Sequence, residues 1–73
     1  MKIYEVGVFN TIVRETIRAG KEMSKFSNIS PDWENVIYFE RVADSEKHLR
    51  EKVNSEYPAS RGFVIEYVNK VSG

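Results

Sequence analysis

The stretch that decides the fold is VIYFERVADSEKHLREKVNSEYPASRGFVIEYV, residues 36–68. Its first part, residues 36–42, is rich in β-branched and aromatic side chains and predicts a strand. Aromatic residues fall on both faces of this strand, which favours a central position in a sheet. Residues 63–71 have the same character and predict a further strand.

A helix is predicted between these two strands, at about residues 45–57. Asp44 or Ser45 can cap its first turn, and Glu46 places a negative charge where the helix dipole favours one. Pro58 ends the helix because proline cannot continue it. An apolar stripe recurs every four residues along this segment, formed by Leu49, Val53 and Tyr57.

The N-terminal segment, residues 3–9, also predicts a strand. Its β-branched and aromatic residues alternate with period two, which is the repeat of a strand. Gly7 interrupts this pattern and indicates a bulge or the close approach of another backbone.

Residues 11–26 fit two different structures. As a strand they form a hairpin with residues 3–9, turning near Asn10 and Thr11, ending at Gly20 and placing Arg14 and Arg18 on one face. As a helix they are capped by Asn10 or Thr11, with an apolar stripe of Ile12, Thr16, Ala19, Met23 and Phe26. The high content of Thr, Ile and Val favours the strand. We expect the hairpin, and the helix stays open as the alternative.

These elements predict a single domain, residues 1–73, because a chain of this length cannot bury two separate cores. The fold class is α+β: a two-layer sandwich with a three- or four-stranded, largely antiparallel sheet. One amphipathic helix, at about 45–57, covers one face of that sheet. Residues 21–34 read as a connection with one helical turn, and Pro31 biases Ser30 towards extended geometry.

The composition excludes several classes of function. Cysteine is absent, which removes disulfides, thiolate metal sites and thiol nucleophiles, and leads us to expect the cytoplasm. No apolar run is long enough to span a membrane, and the N-terminus lacks a signal peptide, so we expect the chain to be used whole. Eleven basic residues balance eleven acidic ones, which counts against a non-specific nucleic-acid binder.

Reactive groups are sparse. His48 is the only histidine, and its place beside Leu49 predicts the surface or boundary of the helix. The glutamates of this helix lie among lysines at helical spacing, as on a solvated face. No glycine-rich phosphate loop or calcium-loop spacing is present. We therefore expect no enzymatic activity, no cofactor and no metal.

The remaining class is surface recognition, for which tryptophan, tyrosine and arginine are the usual anchors. Trp33 lies in a polar connection, where it either folds back onto one end of the core or serves as an exposed anchor. The candidate binding residues are Trp33, Arg14, Arg18, Arg61 and Tyr38.

The chain also resembles small accessory proteins encoded by bacteriophages and prophages, a group that includes anti-CRISPR proteins and inhibitors of host polymerases or nucleases. The resemblance rests on size, on YEVGV at residues 4–8 and on the pattern of residues 36–71. It covers the architecture and no specific motif. It implies a non-catalytic protein that binds a host protein, with homodimerisation as a further expectation. The alternative is a nucleic-acid-binding accessory protein that uses a basic and aromatic sheet face.

Overall fold

The computed structural model describes residues 1–21 and 29–73 and confirms the α+β fold class. The strands are β1 (Lys2–Asn10), β2 (Ile37–Ala43) and β3 (Phe63–Ser72). The helices are α1 (Thr11–Arg18) and α2 (Glu46–Glu56), and two short 3₁₀ turns cover Pro31–Glu34 and Ala59–Arg61.

The three strands form one antiparallel sheet in the order β2-β1-β3. β1 is therefore the central strand, and the prediction that residues 36–42 occupy the centre is wrong. The aromatic residues on the two faces of β2 have separate explanations. Phe39 packs against the core, whereas the ring of Tyr38 lies against Tyr67 of β3 on the opposite face.

The core lies between one face of β1 and helix α2. Val6 and Val8 of β1 and Leu49 and Val53 of α2 are fully buried. Ser45 caps α2, because its Oγ accepts a hydrogen bond of 3.1 Å from the backbone N–H of His48. The predicted helix at 45–57 and its apolar stripe are thus confirmed, and this helix covers one face of the sheet.

Residues 11–18 form helix α1, so the predicted hairpin is wrong and the helical alternative is correct. Asn10 decides the outcome. Its Oδ1 accepts hydrogen bonds from the backbone N–H groups of Ile12 (2.9 Å) and Val13 (3.0 Å), and its Nδ2 donates to the Arg61 carbonyl (3.0 Å). This cap and the burial of Val13 outweigh the modest strand preference of Thr, Ile and Val.

Gly20 ends this helix and not a strand. Its φ of 73° is left-handed, and the backbone N–H of Lys21 reaches back to the Thr16 carbonyl over 3.0 Å. This is the Schellman ending that glycine favours. The helical stripe is centred on Val13 and leaves Ala19 exposed. Two further members of the predicted stripe, Met23 and Phe26, lie outside the described residues.

Candidate protein-interaction surface

The face of the sheet opposite α2 carries apolar side chains that remain accessible. The strand register places Ile3 beside Val42, Gly7 between Tyr38 and Tyr67, and Phe9 beside Val64 on this face. Tyr38 is 58% exposed and Val42 is 38% exposed. We define the open sheet face by five residues: Ile3, Tyr38, Val42, Val64 and Tyr67. Contiguous exposed apolar surface of this kind marks interaction sites.

Two tyrosines form the centre of the open sheet face. The rings of Tyr38 and Tyr67 meet edge to face, with centroids 5.8 Å apart and planes at 73°. They close over Gly7, where an added Cβ would lie 2.9 Å from Tyr38 Cε1 and 2.8 Å from Val36 Cγ1. The β1–β3 register also shifts between Gly7 and Val8, with Glu66 of β3 as the extra residue, so the irregularity beside this glycine falls on the neighbouring strand.

Two carboxylates lie on the same face. Glu5 of β1 is directly opposite Glu40 of β2, and Asn69 of β3 is opposite Glu5 on the other side. Within residues 1–21 and 29–73, neither glutamate takes part in an ion pair. Like charges directly opposite each other on neighbouring strands are destabilising. In the described part of the chain, this side of the sheet thus combines an aromatic centre with two carboxylates that form no ion pair.

The arginines expected on a sheet face lie on helix α1 instead. Arg14 is held in place, because its Nε donates a hydrogen bond of 2.9 Å to the Glu34 carbonyl and its guanidinium lies 3.8 Å from the centroid of the Phe9 ring. Arg18 is exposed in the last turn of α1. These two arginines therefore do not form the basic sheet face on which the nucleic-acid alternative depended.

Trp33 packs at one end of the core. Its ring centroid is 5.0 Å from that of Tyr57 and 5.2 Å from that of Phe63, and it is partly buried. Arg61 is exposed in the second 3₁₀ turn, where its carbonyl binds Asn10. Of the five candidate residues, only Tyr38 lies on the open sheet face.

Sequence reasoning missed most of that face. Residue type alone does not separate Tyr67, Val42 or Ile3 from core residues. The sequence signal that could have identified this face is the alternation of β1. Val6 and Val8 face the core, so Glu5 and Gly7 must lie on the opposite face of the sheet.

The described residues hold no constellation typical of catalysis. His48 is partly exposed, and its Nδ1 accepts a hydrogen bond of 3.2 Å from the backbone N–H of Asp44. In the parts of the chain that the structure describes, no three His, Cys, Asp or Glu side chains converge to hold a metal ion. None of the helices in those parts has the length and apolar character to cross a bilayer.

Comparisons with known proteins returned no match: no family model, curated protein or solved structure is significantly similar to this chain. The functional argument therefore depends on the open sheet face itself.

Proposed function

We propose that this chain is a small, non-catalytic protein-interaction module that binds a host protein through the open sheet face and modulates it. This is the mode of action of the phage and prophage accessory proteins that the chain resembles, and the lack of cysteine suits the cytoplasm. The exposure of Tyr38 carries the proposal. A large aromatic ring fixed by Tyr67 and surrounded by apolar side chains has the properties of an interface anchor.

The charges of the open sheet face indicate the chemistry of the partner. Glu5 and Glu40 repel each other in the free protein, and a lysine or arginine placed between them would relieve that repulsion. The partner surface should therefore combine an apolar centre with a basic side chain. The same two carboxylates oppose the approach of phosphates, which disfavours nucleic acid as the ligand of this face.

The proposal is tested by capturing partners on the immobilised protein from a lysate of its native cells, followed by affinity measurement on each captured protein. Tyr38→Ala should weaken binding by about 2 kcal/mol, roughly 30-fold, because it removes the anchor. Glu40→Lys should also weaken binding, by adding a positive charge opposite the basic partner. Glu51→Lys is the matched control, since this exposed glutamate lies on α2, on the other side of the sheet.

Circular dichroism of each variant establishes that the fold is retained. A partner that binds wild type, Tyr38→Ala and Glu40→Lys equally well would refute the open sheet face as the binding site. Tight binding to DNA or RNA that weakens steeply with salt would favour the nucleic-acid alternative instead.

A further inference from the structure

The two edge strands of the sheet differ in whether their backbone groups are available to pair with another strand. On the β2 edge, the Glu40 carbonyl accepts a hydrogen bond of 2.8 Å from Arg41 Nη1, and the Val42 carbonyl accepts one of 2.6 Å from Lys52 Nζ. Long cationic side chains on an edge strand are a device that prevents pairing with another strand. The β2 edge is therefore blocked.

The β3 edge has no such cover by cationic side chains among the described residues, but its pairing with β1 is irregular at two places, where Glu66 and Val71 are the extra residues. This strand has ten residues, and no side chain within residues 1–21 and 29–73 forms a hydrogen bond to its backbone. Val71 on this strand is 51% exposed. Between these two places residues 67–70 keep a regular register, and this run of the edge is a template for a further strand.

We propose that the β3 edge pairs antiparallel with the β3 edge of a second copy of this chain, about a two-fold axis at Val68. In this register Val68 lies opposite the partner's Val68. Glu66 lies opposite the partner's Lys70, and the same pair forms again by symmetry. Two antiparallel copies of β3 therefore place opposite charges against each other on both sides of the two-fold axis.

The side-chain faces agree with this register. Val68 and Lys70 pair with Val6 and Tyr4, which face α2. Alternation from Val68 places Glu66 on that side too, so both charge pairs form beside the helices.

The resulting assembly closes at two copies. The strands would run β2-β1-β3 and then β3-β1-β2 of the second copy, so that both outer edges are blocked β2 strands. Antiparallel pairing about an axis normal to the sheet keeps both α2 helices on one side and both open sheet faces on the other. This inference goes beyond the proposed function and does not depend on it, since the edge and the face are separate surfaces.

Sedimentation equilibrium tests the proposal on the full chain. Wild type should reach a mass twice that of the 8.5 kDa monomer. Glu66→Lys and Lys70→Glu should each weaken dimerisation by at least about tenfold, because each creates two repulsive pairs. The double variant Glu66→Lys/Lys70→Glu should recover the wild-type affinity. Glu40→Lys, on the blocked edge, is the charge-matched control and should leave dimerisation unchanged.

Three results would overturn the proposal. The first is a monomer at millimolar concentration, which would leave the β3 edge to a strand of another protein. The second is a dimer that Glu66→Lys does not weaken, and the third is a double variant that stays as weak as the single ones. Either of the last two would exclude this register.

Discussion

Asn10 joins three segments of the chain through one buried side chain. Its amide caps α1, donates to the Arg61 carbonyl and is completely inaccessible to solvent. The neighbouring Thr11 N–H donates to the Gly62 carbonyl over 2.8 Å. The end of β1, the start of α1 and the turn before β3 are therefore fixed together by hydrogen bonds of two adjacent residues.

Gly62 is the glycine that this arrangement requires, and Gly20 provides its matched control. Both have positive φ, 96° and 73°. A Cβ at Gly62 would lie 2.7 Å from Asn10 Oδ1 and 2.8 Å from Ile12 Cγ1, whereas a Cβ at Gly20 would meet nothing within 4 Å. Gly20→Ala should thus cost only the backbone strain, about 1 kcal/mol. Gly62→Ala should cost about 1–2 kcal/mol more, because it also displaces the cap.

Urea denaturation of the two variants measures the difference between their free energies of unfolding. Equal losses would show that Asn10 and Ile12 move aside at little cost, and that the fixed junction is not a major source of stability.

At the scale of elements, α2 is attached to β2 by one ion pair at the end of the helix. Arg41 Nε and Nη2 donate to Glu56 Oε2 and Oε1 over 3.1 and 2.9 Å. The hydrogen bond from Arg41 lowers the pKa of Glu56 and raises that of Arg41. A carboxyl whose pKa is lower in the folded state stabilises the fold when ionised, and this contribution disappears as the pH falls through that pKa.

Glu56→Gln should therefore lower the free energy of unfolding at neutral pH, and the loss should shrink towards zero below the ordinary glutamate range. Both side chains are substantially exposed, so the loss should be less than about 1 kcal/mol. Chemical denaturation across the acid range measures it. Glu51→Gln, at an exposed glutamate of α2 outside this ion pair, is the matched control for the loss of one negative charge on the helix, and a pH-independent loss in Glu56→Gln would contradict the ionic explanation.

The elements that were predicted correctly depend on local signals. Helix α2 follows from the cap at Ser45, the stripe at Leu49 and Val53, and the stop at Pro58. Helix α1 could not be settled from its local cap at Asn10 alone, because the burial of Val13 and the hydrogen bond that holds Asn10 to the Arg61 carbonyl, 51 positions away, depend on the tertiary fold. The central position of β1 in the sheet likewise depends on its pairing with β2 and β3, which are distant from it in the sequence.

The candidate surface, too, could be predicted where it depends on residue type and could not be predicted where it depends on contacts between distant segments. Tyr38 could be selected because tyrosine is a common interface anchor. Tyr67 joins it only through the register of β3 on β1, with Gly7 between the two rings. Trp33 shows the opposite case, since a residue type typical of interfaces is here packed between Tyr57 and Phe63.

The whole molecule is elongated for its size. Its extents are 43 × 17 × 14 Å and its radius of gyration is 13.4 Å, whereas a compact domain of this length has about 11 Å. Such a shape buries little of the chain per residue, and the core holds few fully buried side chains. Pairing of the β3 edges would join two elongated sheets side by side and so make a broader, more compact body.

The stability of the fold should then depend on protein concentration. Because the dimer forms only from folded chains, mass action stabilises the folded state as the concentration rises. The thermal unfolding midpoint of wild type should increase with concentration. That of Glu66→Lys should begin to rise only at concentrations at least about tenfold higher, and should match wild type in the dilute limit, since Glu66 is exposed in the monomer. Scanning calorimetry and dilute-solution circular dichroism together cover the necessary range.

Two outcomes separate the contributions of the core and the edge. A wild-type midpoint that does not move with concentration would mean that the single small core is sufficient and that the β3 edge adds no stability. A concentration dependence in Glu66→Lys that is the same as in wild type would instead assign the association to another surface, and the open sheet face is then the one to test through Tyr38→Ala. The two variants alter separate surfaces, so the pair locates the association on the edge or on the face.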